Sequence, residues 1–336
     1  MRGLYFDGNQ LSFRKDLPQP VLREGEALIA VQAAGICRTD QEILAGYMHF
    51  HGIPGHEFIG TVTAASEPQL VGKRVVGEIN CPCGGCELCR LGLQPHCRDR
   101  TVLGVAQRDG AFAEYLALPT ANLHAIPDSL TPFSAVFVEP LAAAFRVVEQ
   151  LPIGPGSSVA VVGDGKLGQL VARVMRLTGC DLLAIGHHPA KLKLLDRLGI
   201  RTALESELAA RDFDFVVECS GNPTGLDVAL RIVRPQGTIV AKSTYHGDKQ
   251  LNISALVADE ISIVGSRCGP FKPAIRALTR GLVDVADLMD RSFSLEEGLA
   301  AFEYAARRDA LKVIIDMQIS PAAGLHGPGE PVIELP

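Results

Sequence analysis

The chain lacks any hydrophobic run long enough to cross a bilayer. Its longest apolar stretches, at 133–138 and around Ile314, fall far short of the roughly 18 residues a span requires, so no membrane segment is expected. Basic runs are missing as well. The 32 Lys and Arg are interspersed among 38 Asp and Glu, for a formal net charge of −6, which leaves no electrostatic footprint for nucleic acid or an anionic membrane. The opening residues MRGLYFDGNQ have no basic start, apolar middle or small-residue cleavage site, so a cytoplasmic location is expected in place of secretion. No internal repeat and no low-complexity segment interrupts the chain. What remains is 336 residues, 47% hydrophobic and 21% charged, a length that suits two domains sharing a cleft and a composition that points to small-molecule chemistry.

Cysteine, by contrast, is abundant. Five of the nine, Cys81, Cys83, Cys86, Cys89 and Cys97, lie within 17 residues. Near neighbours make strained disulfides and a reducing compartment disfavours them, so metal is the natural reading. Cys83-x2-Cys86-x2-Cys89-x7-Cys97 offers four thiolates on one loop. That is enough to close a tetrahedral shell and leave no position for substrate, the mark of a structural zinc. The alternative is a cluster of free thiols. Cys81 falls outside the spacing and reads as a bystander.

The first 125 residues are short β-rich runs broken by Gly and Pro: 3–6, 27–32, 58–64, 74–78 and 113–118. This rhythm predicts an antiparallel, barrel-like domain. A long helix is predicted over Ser134 to Gln150, followed by the punctuation Pro152-Ile153-Gly154-Pro155-Gly156. From Ser158 the pattern changes to apolar strands (158–163, 181–186, 213–221, 237–242, 261–266) alternating with helices (167–177, 190–198, 225–233). That alternation predicts a doubly wound parallel sheet covered on both faces, a Rossmann-type α/β core. Beyond Gly269 the chain reads as mostly helical, ending in a strand at Lys312 to Asp316. The Gly- and Pro-rich last 18 residues read as a loosely ordered surface tail.

Gly163-Asp164-Gly165-Lys166-Leu167-Gly168 follows the first of these strands and opens a helix, the context that makes G-x-G-x-x-G informative. Gly163 permits the tight turn, Gly165 lets backbone approach a pyrophosphate, and Gly168 allows close helix-to-strand packing. The free N–H groups of Lys166, Leu167 and their neighbours at the helix start would face the phosphates. A purely structural glycine turn is the alternative. A second metal site is suggested by Cys37, His56 and Glu139. Taken singly, a cysteine is usually a small hydrophobe and a histidine a satisfied polar group. Together, one thiolate, one imidazole and one carboxylate leave a fourth zinc position open for a substrate oxygen.

These motifs, GICRTD at 35–40, GHEFIG at 55–60, CGGCELCRLGLQPHC at 83–97, the Glu-Pro pair at 139–140, GDGKLG at 163–168 and GSRCGPF at 265–271, resemble the zinc-containing branch of the medium-chain dehydrogenase/reductase superfamily. The chain is similar to alcohol, sorbitol and threonine dehydrogenases over residues 1 to about 316. The resemblance implies a GroES-like catalytic domain at 1–141 and 269–336, with a structural zinc lobe at about 81–97, and a Rossmann domain at 142–268. It implies that Cys37 and His56 bind a catalytic zinc, and that Glu139 stands where the alcohol branch has cysteine and the polyol branch glutamate. Glu57 matches a carboxylate that can enter the zinc shell, Thr39 the hydroxyl that relays the alcohol proton, Asp40 the carboxylate that orients His56, and Arg38 a cofactor pyrophosphate ligand. The relay's distal histidine is replaced here by Glu42. The implied activity is hydride transfer between an alcohol, polyol or sugar and a nicotinamide dinucleotide, with two zinc ions per chain, in a homodimer or homotetramer that could pair through the edge strand at Ser262 to Gly265.

Cofactor choice is read from the second Rossmann strand, which should end in an acid if NAD is to be gripped by its ribose. It ends instead in Gly186-His187-His188-Pro189, with Lys191 close behind. Glycine leaves room for the extra phosphate of NADP, and His187, His188 and Lys191 can donate to it. NADP is therefore expected over NAD, with His188 standing where NADP-using relatives carry arginine. The competing readings are a zinc-independent quinone-type reductase, which would not need Cys37, His56 and Glu139, and a noncatalytic NAD(P)-binding protein, which would need no open-sited second zinc.

Overall fold

A computed structural model describes residues 1–208, 212–244 and 251–319. The chain divides into two compact units. One is Met1–Glu139 joined by the segment from Leu288 onward, and the other is Pro140–Asp287. The return to the first unit thus comes at Leu288 and not at 269. The helix Phe271–Thr279 buries Phe271, Ala274, Ala277 and Leu278, while Arg173 donates to the Asp284 carbonyl at 2.6 Å and to the Asp287 carboxylate at 2.9 Å, which binds that stretch to the second unit. The expected surface tail lies, apart from Ile319, outside the described residues.

In the second unit six parallel strands lie in the order Arg201–Leu204, Asp181–Gly186, Ser158–Val162, Phe213–Glu218, Val233–Ala241, Ser262–Gly265. In sequence terms this is 3-2-1-4-5-6, the dinucleotide-binding order. The central strands Val159 to Val162 and Leu182 to Gly186 are buried throughout, as their unbroken apolar runs predict for a sheet covered on both faces. Helices Lys166–Arg176, Pro189–Asp196 and Pro223–Ile232 connect them within two residues of the expected positions.

The first unit is built on a seven-stranded sheet. Its order is Leu123–Ala125, Arg74–Gly77, Glu57–Ala65, Glu26–Ile36, Lys312–Asp316, Met289–Ser294, with Tyr115–Pro119 also pairing with Glu26–Ile36. All these pairs are antiparallel except the last two strands, which run parallel. Met289–Ser294 is a strand within the stretch whose sequence reads as mostly helical; MDRSFS carries no apolar alternation, and only its last two residues are buried. The long helix expected over 134–150 is two helices, Pro132–Val136 and Val138–Gln150. Phe137, buried between them, closes the first, and Glu139 stands in the first turn of the second.

Candidate active site

The strand Glu26–Ile36 runs out at Cys37, which starts the helix Arg38–Leu44. Its backbone N–H donates to Asp40 Oδ2 at 2.7 Å, an acid holding the first turn of the helix at its positive end. The neighbouring strand Glu57–Ala65 is registered so that Glu57 faces Gly35. That register brings Cys37 beside His56 and Glu57, and their ligand atoms all lie within 4.8 Å of one another. Gly35 is required for the approach, since a Cβ there would stand 2.6 Å from Glu57 Oε2. His56, Glu57 and Asp40 are buried.

His56 Nδ1 and Asp40 Oδ1 face each other at 3.2 Å, off the geometry of a hydrogen bond. Burial opposes charge on the imidazole, but the Asp40 carboxylate, followed by Cys37, outweighs it and holds the His56 pKa well above the ordinary histidine value. The pocket thus favours positive charge. Thiol, imidazole and carboxylate form a donor set that suits zinc, and a three-residue set leaves a coordination position open. Thr39 Oγ1 lies 3.8 Å from Cys37 Sγ, in the same turn.

Glu139 sits in the first turn of Val138–Gln150 and is not part of the three-residue cluster, although its charge acts on the same buried cation. That cation is Lys312, which the sequence reading missed. It is fully buried, pairs with Glu57, and lies 5.5 Å from the centre of the Phe137 ring. Burial opposes its charge too, but Glu57, then Cys37 and Glu139, hold its pKa above the ordinary lysine value. Lys312 opens the strand KVIID ahead of the apolar Val313, Ile314 and Ile315, and no local spacing ties it to Glu57, which is far away in sequence. Arg38, expected at the cofactor pyrophosphate, is exposed and pairs with Glu42 at 2.7 Å, so the residue in place of the distal relay histidine is engaged with this arginine.

The sulfur atoms of Cys83, Cys86, Cys89 and Cys97 converge, with Cys86–Cys89 at 3.5 Å, Cys86–Cys97 at 3.7 Å and Cys97–Cys83 at 3.5 Å. A tetrahedral zinc with Zn–S bonds of about 2.3 Å requires sulfur–sulfur edges of about 3.8 Å, close to this spacing. The Cys89 backbone N–H, with the neighbouring thiols, brings Cys86 down to about 7, so one thiol of the group ionises near neutrality. Cys81 lies apart, buried in the strand Asn80–Cys81.

In the second unit Gly163 adopts φ +117, and a Cβ at Gly168 would stand 1.9 Å from the Gly163 carbonyl oxygen, so both glycines are needed for the turn. Among the described residues nothing lies within 4 Å of where a Cβ at Gly165 would be, at the start of the helix that Lys166 and Leu167 begin. The far side of the loop was not foreseen. The space beside Gly186 is filled by Asp164, whose Oδ2 would be 2.3 Å from a Cβ there. That carboxylate accepts the backbone N–H groups of His187 at 2.8 Å and His188 at 2.7 Å, and it lies 3.0 Å from His188 Nδ1. His187 pairs with Glu205 at 2.9 Å, and Lys191 is buried. An acid inside the glycine motif, coupled with glycine at the strand end, is the sequence signal for this exchange.

Known proteins carry the same two building blocks. Residues 23–128 match the alcohol dehydrogenase GroES-like domain and residues 167–283 the zinc-binding dehydrogenase domain. Sorbitol dehydrogenase of Bacillus subtilis strain 168 is 29% identical over 332 residues, covering 89% of this chain and 92% of its own. L-threonine 3-dehydrogenase of Streptomyces avermitilis is 30% identical, covering 90% and 94%. A zinc-binding dehydrogenase from Sinorhizobium meliloti 1021, solved with NADP bound, superposes with a TM-score of 0.86 at 27% identity over 94% of this chain and 98% of that one. These likenesses define a two-domain dehydrogenase. The chain belongs to the zinc-type medium-chain dehydrogenase/reductase superfamily, and its activity is NAD(P)-dependent oxidation of an alcohol or polyol, or reduction of the matching carbonyl.

Proposed function

We propose that Cys37 and His56, with a carboxylate from Glu57 or Glu139, hold the zinc at which substrate reacts, and that Cys83, Cys86, Cys89 and Cys97 hold a second, structural zinc. The observation that carries this reading is the convergence of half-buried Cys37 with buried His56 and Glu57, their ligand atoms within 4.8 Å, beside the Asp40 carboxylate that faces His56. When bound there, zinc supplies the Lewis acidity that brings a hydroxyl proton within reach of neutral pH. Thr39 receives that proton, Asp40 orients His56, and Lys312 balances the carboxylates so that the site does not accumulate uncompensated negative charge. Glycines 163, 165 and 168 with Lys166 and Leu167 receive the cofactor pyrophosphate.

Substrates are polyols or sugar-like secondary alcohols, a reading supported by Glu139 at the polyol-branch position and by the names of the relatives. NADP is preferred and NAD accepted, as the non-acidic strand end Gly186 and the accessible rings of His187 and His188 suggest, with Lys191 buried behind them. The nine free cysteines suit the reducing cytoplasm, and among the described residues no helix is long and apolar enough to cross a membrane. The edge strand Ser262–Gly265 and the exposed side chains of Ile253 and Val257 support a homodimer or homotetramer, which light scattering at working concentration reads directly.

Elemental analysis tests the central assignment. Two zinc ions per chain are expected in protein purified without chelator, falling to one in Cys37→Ala and to one in Cys89→Ala. One metal or none in the unaltered chain, or two in Cys37→Ala, contradicts it.

A further inference from the structure

In this fold the residue at the end of the second strand decides between the two nicotinamide dinucleotides. A carboxylate there accepts the ribose hydroxyls of NAD and repels the 2′-phosphate of NADP. The strand here ends in Gly186, which by itself leaves that place uncharged. The structure nevertheless puts a carboxylate in it. Asp164, the second residue of the glycine motif, occupies the volume that a side chain at 186 would fill, with its Oδ2 2.3 Å and its Cγ 2.6 Å from where a Cβ would stand.

Three features fix it there. Its Oδ2 accepts both the His187 and the His188 backbone N–H, its Oδ1 lies 3.0 Å from His188 Nδ1, and its side chain is buried, with 7% of its surface exposed. The two backbone donors hold the carboxylate in place against the strand end. The His188 ring, which would otherwise be free to face a phosphate, is drawn towards the acid through Nδ1. One face of the loop therefore presents the His187 and His188 rings, while immediately behind them stands the buried Asp164 carboxylate.

We propose that Asp164 is a specificity-determining residue for the cofactor. Supplied from the glycine-rich loop in place of the strand end, it limits how strongly the 2′-phosphate of NADP is favoured and keeps NAD usable. This rests on the assignment of the Gly163–Gly168 loop as the dinucleotide site. Asp164→Asn is nearly isosteric and keeps an oxygen to accept both backbone N–H groups, so it removes charge with little change of shape.

The experiment is titration of the purified zinc-loaded protein with NADPH and with NADH, read by reduced-nicotinamide fluorescence, in the unaltered chain, in Asp164→Asn and in Asp164→Ser. Circular dichroism checks that each variant is folded, and the serine variant carries the test should the asparagine one misfold. The ratio of NADPH to NADH affinity is expected to rise by about tenfold or more when the charge is removed, the scale of a unit charge a few ångströms from a phosphate at the effective dielectric of a protein site. An unchanged or lowered ratio in a folded variant overturns the proposal while leaving the dinucleotide site intact. Failure of the unaltered chain to bind either cofactor overturns the assignment of the loop itself, and this inference with it.

Discussion

Thr39 and Lys312 carry the sharpest consequences for chemistry and stability, and they are read from different kinds of information. Thr39 follows Cys37 in a short motif and its hydroxyl stands 3.8 Å from the thiol. Thr39→Val keeps the volume and removes the hydroxyl, so kcat is expected to fall by about 10² to 10⁴ with zinc content unchanged, the usual loss when a positioned proton carrier is removed. Steady-state kinetics with parallel metal analysis checks this; unchanged turnover would remove Thr39 from the proton path. Lys312 has no motif and was visible only once the strands Glu57–Ala65, Glu26–Ile36 and Lys312–Asp316 were side by side. Lys312→Met leaves Glu57 buried without its partner, at an expected cost of about 3–5 kcal/mol in urea unfolding, and adding Glu57→Gln should recover part of that loss. A single variant as stable as the parent, under matched zinc loading, contradicts the charge-balance role.

Elements were legible where one periodicity dominated. The buried runs SVAVV, DLLAIG and FDFVVE could only be strands of a covered sheet, and their helices were found within a residue or two. The reading failed where local sequence was overruled by packing. Ser134 to Gln150 is helix-forming throughout, yet the chain breaks at buried Phe137 and restarts at Val138. Met289–Ser294 is exposed along most of its length and becomes a strand only by pairing with Lys312–Asp316. Within the sheet of the second unit, Asp214 joins three elements: it accepts the Ser158 backbone N–H at 2.7 Å, the Ser158 hydroxyl at 2.9 Å and Arg234 Nε at 2.7 Å. The Ser158 backbone N–H, followed by Arg234, holds its carboxyl below the ordinary carboxylate value. A depressed folded-state pKa contributes stability that is present above the unfolded value and is lost as pH falls through the folded one. Asp214→Ala is therefore expected to lower stability by about 1–3 kcal/mol at neutral pH. The gap from the parent should narrow as pH drops below about 4. Chemical unfolding across that range reads it, and a gap that stays constant with pH would assign the loss to something other than the ionised carboxylate.

For the molecule as a whole, the four-cysteine motif and the glycine motif stand out in the sequence because each is a local spacing of a few residue types tied to one chemistry. Cysteines three apart on a loop have few uses besides metal, and glycines at a strand-to-helix turn have few besides phosphate. What stayed hidden depends on distant parts of the chain meeting: Lys312 reaching Glu57 across the sheet, Asp164 reaching Gly186 across the glycine loop, and the second domain boundary set by Arg173 gripping Asp284 and Asp287. The most direct measurement is reduced-nicotinamide absorbance across a panel of polyols, sugars and secondary alcohols, each with NAD and NADP, for the zinc-loaded chain and for Cys37→Ala. The zinc-dependent account predicts turnover of at least one polyol or secondary alcohol by the intact protein and its loss in Cys37→Ala, with the four-cysteine zinc retained. Turnover of the same substrate at an undiminished rate in Cys37→Ala, after its second zinc is shown to be gone, would contradict it.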